Sequence, residues 1–268
     1  AILASQKEDG WFGPDKGRKG LAARNVGRDD LWPNLIALFV LQSYYEHSGD
    51  ERVLDLMTRY FRWEMTVPDD EFLPPYWQQQ RAADNLYSVY WLYNRTGGAW
   101  LLDLAEKIHR NTAPWSDGVP NWHNVNIAQA FGGPATFYQQ LKAPRHLEAA
   151  KRNFREVRAL YGQVPGGMFG SDENCRPGYT GPRQAIETCG IVEQMLSNET
   201  LLAITRGSDE TTILHAARTL ELLANPEVHD EIQALADRFA EAPGDLRAAE
   251  PLVVPQDDRL ALRLGEAA

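Results

Sequence analysis

Two groups of acidic and thiol side chains flank a glycine- and proline-rich stretch between residues 166 and 189. Asp172 and Glu173 lie on its N-terminal side, and Glu187 and Cys189 directly precede an apolar, helix-like run. A glycosidase needs one carboxylic acid to protonate the leaving oxygen and a second group to attack the sugar or to activate water. The segment therefore predicts glycosidase chemistry with Asp172 or Glu173 as the acid, and the separation of the carboxyl groups would distinguish inversion from retention.

The cysteine of this segment is open to three interpretations. A thiolate of Cys189 at the start of a helix would be stabilised by the positive end of the helix dipole. Alternatively, Glu187 and Cys189 offer two ligands to a zinc ion, with Cys175 as a third. The structural alternative is a surface acidic loop beside one half-buried cysteine. The residues by themselves leave these alternatives open.

Long loops rich in Trp, Gly and Pro separate the apolar segments of the first two thirds of the chain. Trp77, Trp122 and His123 lie in two of these loops. Aromatic faces stack on sugar rings, and nearby imidazole, amide and carboxylate groups bond to hydroxyls, so the loops predict a carbohydrate-binding cleft. The alternative is that the Trp side chains fill the ends of helical hairpins and that His123 is a structural hydrogen-bonding residue.

The elements that must position these loops are predicted from a repeat in the first half of the chain. The segment 45–56 aligns with the segment 93–104, sharing Tyr, Gly, Leu, Asp and Leu in register. Each copy has the pattern of a helical hairpin, in which Gly49 or Gly97 supplies the left-handed residue that ends the first helix. Repeated helical hairpins form solenoids and toroids, so we expect an all-α fold.

The composition changes near Arg206. All eight Trp lie between Trp11 and Trp122, whereas the segment 206–268 has six Arg, no Lys and thirteen Asp plus Glu, a net charge of -7. We therefore predict a partial helical toroid domain over residues 1–205 and an acidic, mostly helical, divergent tail over residues 206–268.

Length and charge exclude several classes of protein. The chain has 268 residues, a net charge of -10 and no apolar run long enough to span a bilayer. It carries no basic patch for nucleic acid, so we expect neither nucleic acid nor membrane as a partner. Residues 1–7 lack the signal-peptide pattern. Localisation stays open between the cytoplasm and a secreted or periplasmic site reached with a leader that has been removed.

Several motifs together resemble the catalytic domain of glycoside hydrolase family 127, the β-L-arabinofuranosidases. They are the Glu-Thr-Cys sequence at 187–189, the segment Gly-Met-Phe-Gly-Ser-Asp-Glu-Asn-Cys-Arg-Pro-Gly-Tyr-Thr at 167–180, and Trp-His-Asn-Val-Asn at 122–126. The resemblance covers about residues 10–205. It implies an (α/α)6 barrel that acts with retention on β-linked L-arabinofuranose or related plant-glycan sugars.

The resemblance also implies roles for individual residues. Glu187 and Cys189 match two ligands of a zinc ion that binds the nucleophilic cysteine in the family. The general acid/base falls in the Ser-Asp-Glu stretch at 171–173, where we favour Glu173 over Asp172. His123 matches a sugar-contacting histidine, and Asn34 stands where many members have histidine.

Two departures from the family pattern bear on activity. The family's remaining zinc ligands, including the nucleophile, come from a downstream Cys-Cys pair, and no cysteine follows Cys189 in this sequence. At 48 residues per hairpin, residues 1–205 give about four hairpins where the family fold has six. We therefore expect one of two functions. The first is a glycoside hydrolase in which Cys189 or a carboxylate replaces the nucleophile, or in which a second chain completes the barrel, and the second is a non-catalytic helical module that at most binds carbohydrate. Exposed toroid edges would favour self-association.

Overall fold

A computed structural model describes residues 1–14, 18, 28–74, 77–162, 173 and 187–205, together with the backbone but not the side chains of Leu202, Ala203 and Thr205. These residues form helices and connecting loops without a β-strand, so the all-α prediction is confirmed for this part of the chain. After a short 3-10 helix (Ile2–Ser5) come the α-helices α1 (Trp32–Ser48), α2 (Arg52–Thr66), α3 (Trp77–Arg81), α4 (Ala83–Thr96), α5 (Trp100–Asn111), α6 (Asn124–Ala130), α7 (Gly133–Leu141), α8 (Pro144–Tyr161) and α9 (Thr188–Thr205).

The predicted hairpins are present, and the glycines end their first helices as expected. Gly49 follows α1 with φ 65°, and Gly97 follows α4 with φ 67°. The N–H of each glycine donates to a tyrosine carbonyl, that of Tyr45 or Tyr93. Only a residue tolerant of positive φ closes a helix this tightly, which explains why the two sequence repeats share a glycine at this point.

The helices form two layers. Helix α1, the pair α3 and α4, the pair α6 and α7, and α9 pack side by side in this order as the first layer. Helices α2, α5 and α8 pack against them as the second layer. Each second-layer helix leads the chain back to the end of the fold at which the preceding first-layer helix began. The first-layer helices therefore all begin at the same end of their layer. Gly190 lies against Asn124 and Leu201 lies against Gly132, so α9 runs parallel to the α6 and α7 pair.

Two hydrophobic cores hold the layers together. The aromatic core lies between the N-terminal residues and helices α1, α2, α4 and α5, with buried large side chains that include Trp11, Phe12, Tyr60, Phe61, Trp63, Tyr90 and Trp91. The small-residue core lies between α6, α7, α8 and α9, with Ala83, Ala113, Ala128, Ala130, Ala135 and Ala150 around Trp115, Phe131 and Tyr161. No helix in the described ranges has the length and apolar character required to cross a membrane.

The predicted boundary between a domain at residues 1–205 and a tail at residues 206–268 lies at the edge of the described residues. It stays a prediction.

Candidate functional site

The predicted site residues lie at the starts of the first-layer helices. Trp77 begins α3, His123 is the N-cap residue of α6, and Glu187 and Cys189 lie at the start of α9. Asn34 lies in the first turn of α1. Because all four helices begin at the same end of the layer, residues separated by up to 155 positions in the sequence are brought to one end of the fold.

His123 and Glu173 face each other at this end. The Nδ1 atom of His123 accepts a hydrogen bond from the Val125 N–H at 3.2 Å, so the neutral ring carries its proton on Nε2. This Nε2 atom is buried, lies 3.5 Å from Oε1 of Glu173, and forms no hydrogen bond of good geometry among the described residues. Burial, followed by the charge of Arg81, lowers the pKa of His123, whereas Glu187 and Glu173 oppose this shift.

The backbone fixes Glu173 while its side chain stays accessible. The Glu173 carbonyl accepts a hydrogen bond from the Asn124 N–H at 3.1 Å, which ties the loop to the first residue of α6. The carboxyl side chain is 68% exposed. A carboxyl group held in this way can reach a ligand from solvent. The neighbouring candidate acid, Asp172, and the candidate third ligand, Cys175, lie outside the described residues.

Glu187 and Cys189 form a carboxylate and thiol pair. The Sγ atom of Cys189 donates to Oε1 of Glu187 at 2.8 Å, and Oε2 of Glu187 is buried without a hydrogen bond among the described residues. Burial and then the Glu187 carboxylate raise the pKa of the Cys189 thiol, despite backbone N–H groups that favour the thiolate. Burial and the adjacent carboxylate thus oppose a thiolate in this conformation, and the backbone N–H groups at the helix start favour it. The thiolate at the helix N-terminus stays a prediction.

Arg81 is a buried cation at the centre of the site that sequence reasoning missed. Its guanidinium carbon lies 4.6 Å from the Trp77 ring centre and 5.0 Å from that of Trp32. Its Nε donates to Oδ1 of Asn126 at 2.7 Å. Asn126 in turn donates to Asn121 at 2.8 Å, and the same Asn121 oxygen accepts the N–H of His123. Asn126 and Asn121 thus link Arg81 to His123, which faces Glu173.

A pair of acidic residues lies one helical turn deeper. Gln129 Nε2 donates to Oδ2 of the buried Asp84 at 2.9 Å. Burial and then the nearby Glu193 raise the pKa of Asp84 well above its usual range, and burial also raises the pKa of Glu193. The charge of Arg81 opposes both shifts. Asp84 and Glu193 occur in ordinary helical sequence, so no sequence signal marked them.

The other predicted sugar-contacting residues have different environments. Trp77 is half-buried, with its ring edge-on to His123 at a centroid distance of 4.9 Å. Trp122 packs against Tyr161 at 5.8 Å, at the margin of the small-residue core. Asn34 is 5% exposed, and its Nδ2 donates to the Phe12 carbonyl at 3.2 Å. Trp77 is therefore the member of this set that directly adjoins the residues around Glu173 and Glu187.

The donor set for zinc is incomplete in the described ranges. Glu187 and Cys189 place an oxygen and a sulfur together, which suits two ligands of one ion. No group of three His, Cys, Asp or Glu side chains that could hold a metal ion occurs in the part of the chain that the structure describes. Protein zinc sites need at least three such ligands, so Glu187 and Cys189 do not form a zinc site by themselves.

The chain matches a known family of catalytic domains. The family model described as β-L-arabinofuranosidase, GH127 catalytic domain, matches residues 1–219. The match includes every candidate site residue and most of the 268 residues of the chain. No curated protein and no solved structure gives a significant match.

Proposed function

Since this chain belongs to the catalytic domains of glycoside hydrolase family 127, we propose that it hydrolyses the glycosidic bonds of β-L-arabinofuranosides or of related plant-glycan sugars. The observation that carries this proposal is a pair of buried polar atoms at the starts of α6 and α9, His123 Nε2 and Glu187 Oε2, which have no hydrogen-bond partner among the described residues. Buried polar groups are normally paired, so such atoms side by side with an exposed carboxyl group are suited to the hydroxyls of a sugar.

Glu173 is the general acid in the proposed reaction. Its carboxyl group is exposed, and its backbone is held by Asn124. The Nε2 proton of His123 faces the same carboxyl group and can keep it oriented. Glu173 gives its proton to the leaving oxygen as the glycosidic C–O bond breaks, and later takes a proton from the water that attacks the anomeric carbon.

Cys189 is the nucleophile in the proposed reaction, with Glu187 as its base. The thiol proton passes to Glu187 along the 2.8 Å hydrogen bond as sulfur forms a bond to the anomeric carbon. The raised pKa of the thiol makes this base necessary, because little thiolate is present beforehand. Water then displaces the sulfur, which takes back its proton. Two displacements at one carbon retain its configuration.

As an alternative to this metal-free reaction, we propose that Glu187 and Cys189 bind zinc together with donors outside the described residues. When bound, such an ion would lower the pKa of its ligands and polarise nearby oxygen atoms. Metal analysis of the purified chain would test this. Stoichiometric zinc that is lost in Cys189→Ser supports the zinc proposal, whereas metal-free protein contradicts it.

Leaving-group dependence is the most direct test of the hydrolase proposal. Glu173→Gln should lose at least a hundredfold in kcat/KM on a methyl β-L-arabinofuranoside, and much less on the 4-nitrophenyl analogue, because nitrophenolate leaves without protonation. Cys189→Ser should lose activity on both substrates. Glu156→Gln, at an exposed position of α8, is the matched control and should behave as the wild type. Absence of turnover by the wild-type chain would overturn the proposal.

A second candidate function is a non-catalytic module that binds carbohydrate. It is favoured by one sequence observation, since no cysteine follows Cys189. Calorimetric binding of an arabinose-containing oligosaccharide without turnover would identify such a module. In that case Trp77→Ala should weaken binding, because the ring adjoins His123 at the edge of the site.

A further inference from the structure

A cavity of about 340 Å³ is lined by residues of α4, α5, α7 and α8 and of the loop after α5, and none of these residues belongs to the candidate catalytic site. It is formed where the loop after α5 passes the starts of α7 and α8. Its polar lining consists chiefly of His109, Arg110, Ser116, Asp117, Arg145 and His146. Its apolar wall includes Ala83 and Gly133, whose small size leaves room at this point.

The hydrogen bonds around His146 fix the direction in which Ser116 donates. Arg145 Nε donates to Nε2 of His146 at 3.4 Å, so the neutral ring carries its proton on Nδ1. Nδ1 lies 3.2 Å from Ser116 Oγ, which must therefore accept this bond. The hydroxyl proton of Ser116 remains available to a third group. The serine consequently presents a donor to the cavity.

The charges around the cavity also favour a ligand that accepts hydrogen bonds. Arg145 forms no ion pair within the described ranges, whereas Arg110 is paired with Asp69 at 2.8 Å. Among the described residues that line the cavity, Asp117 is the one acidic residue, and its side chain is exposed. Arg145 and His146 also belong to the first turn of α8, where the helix dipole is positive. An anion would thus meet the Arg145 guanidinium group and a hydroxyl donor, with the Arg110–Asp69 pair beside them.

The surroundings of the two imidazoles favour their neutral forms. The His109 ring stacks on Phe137 at 3.8 Å and meets His146 edge-on at 5.1 Å. Burial first, and then the neighbouring His146 and Arg145, lower the pKa of His109 to about 4. Burial and Arg145 likewise lower the pKa of His146. A bound anion would oppose these shifts, so its arrival can be detected at both rings.

We propose that this cavity binds a small oxyanion, the carboxylate or phosphate group of a small molecule, with Arg145 and Ser116 as its principal hydrogen-bond donors. The site is independent of the proposed hydrolase chemistry, since it shares no residue with the candidate catalytic site.

The test is a titration of the full chain with inorganic phosphate and, separately, with acetate, followed by ¹H–¹³C NMR of the histidine rings. We expect the signals of His109 and His146 to shift together and saturably with at least one of the ions. His47, which is exposed on α1, should not follow the same curve. The ion that binds more tightly identifies the preferred group.

Two matched arginine variants on α8 distinguish binding of an anion at this cavity from a general attraction of anions to positive charge. Arg145→Gln should weaken binding at least tenfold, whereas Arg155→Gln, at an exposed position of the same helix, should leave it unchanged. Both positions are exposed, so neither variant should impair folding. Ser116→Ala should weaken binding without a change in net charge. A linear, unsaturated drift of the signals, or equal effects of the two arginine variants, would overturn the proposal.

Discussion

The aromatic core and the small-residue core join similar helices with different side chains. In the aromatic core, Trp11 meets Trp63 edge-on at 5.0 Å, and Phe12 meets Tyr60 at 4.9 Å. In the small-residue core, the helices approach so closely that a Cβ atom added to Gly133 would lie 2.6 Å from that of Ala83. Large rings fill space between helices that stand apart, whereas glycine and alanine let backbones come together.

The carboxylates associated with the two regions differ as well. Glu64, beside the aromatic core, has both carboxylate oxygens bonded to Asn85 Nδ2, at 3.0 and 2.8 Å. Glu187, at the start of α9, has one oxygen bonded to Cys189 and the other buried without a partner in the described ranges. The Glu64 carboxylate is therefore paired within the protein through both oxygens, whereas the Glu187 carboxylate keeps one oxygen without a partner among the described residues.

The largest stability effect should come from truncating a ring in the aromatic core. Phe61 is fully buried, and its ring lies 5.7 Å from that of Tyr60. Phe61→Ala should lower the free energy of unfolding by about 3 to 5 kcal/mol, because the rigid neighbours cannot close the cavity. Phe154→Ala, at a half-buried edge of the small-residue core, should cost clearly less. Denaturant unfolding of both variants checks this, and equal losses would contradict the comparison.

A smaller, pH-dependent effect should come from Glu64. Burial raises its pKa from 4.5 to about 7, although Asn85 and Lys107 oppose the shift. The folded state therefore holds a proton that the unfolded chain releases at lower pH, so this group reduces stability as pH rises from about 4 to 8, by roughly 3 kcal/mol in total.

Glu64→Gln should remove this loss. The difference in unfolding free energy between the variant and the wild type should grow in favour of the variant from pH 4 to pH 8. The value at pH 4, where the wild-type residue is itself neutral, is the reference for any packing cost of the amide. Parallel profiles for the two proteins would show that Glu64 does not hold a proton in the folded state.

The helices and their hairpin glycines followed from the sequence because their signals are local. A Gly after a helical Tyr and Leu pattern determines the end of α1 and of α4 without reference to the rest of the fold. The proximity of Glu187 and Cys189 was likewise predictable, because the two residues are separated by one position at the start of a helix.

The residues beneath the site were not predictable in this way. Arg81, Asp84 and Glu193 acquire their roles from the packing of α3, α4 and α9, which places charges from distant parts of the chain within range of each other. An arginine between two Trp rings also depends on tertiary structure, since Trp32 and Trp77 lie on different helices. The contact of Arg81 with Trp32 and the approach of Asp84 to Glu193 join distant parts of the chain that no sequence window contains.

The smallest of the predicted stability effects tests the close approach of helices in the small-residue core. Gly133→Ala places a methyl group 2.6 Å from the Cβ of Ala83, and α4 and α7 must separate to accommodate it. Overpacking of this kind costs about 1 to 3 kcal/mol. The double variant Gly133→Ala with Ala83→Gly moves the methyl group from one helix to the other, and should recover most of the loss apart from the cost of a glycine near a helix start. The opposite outcome is that the double variant loses as much stability as the two single variants added together. The contact between Gly133 and Ala83 would then not limit the approach of α4 and α7, which would contradict the proposed difference between the two cores.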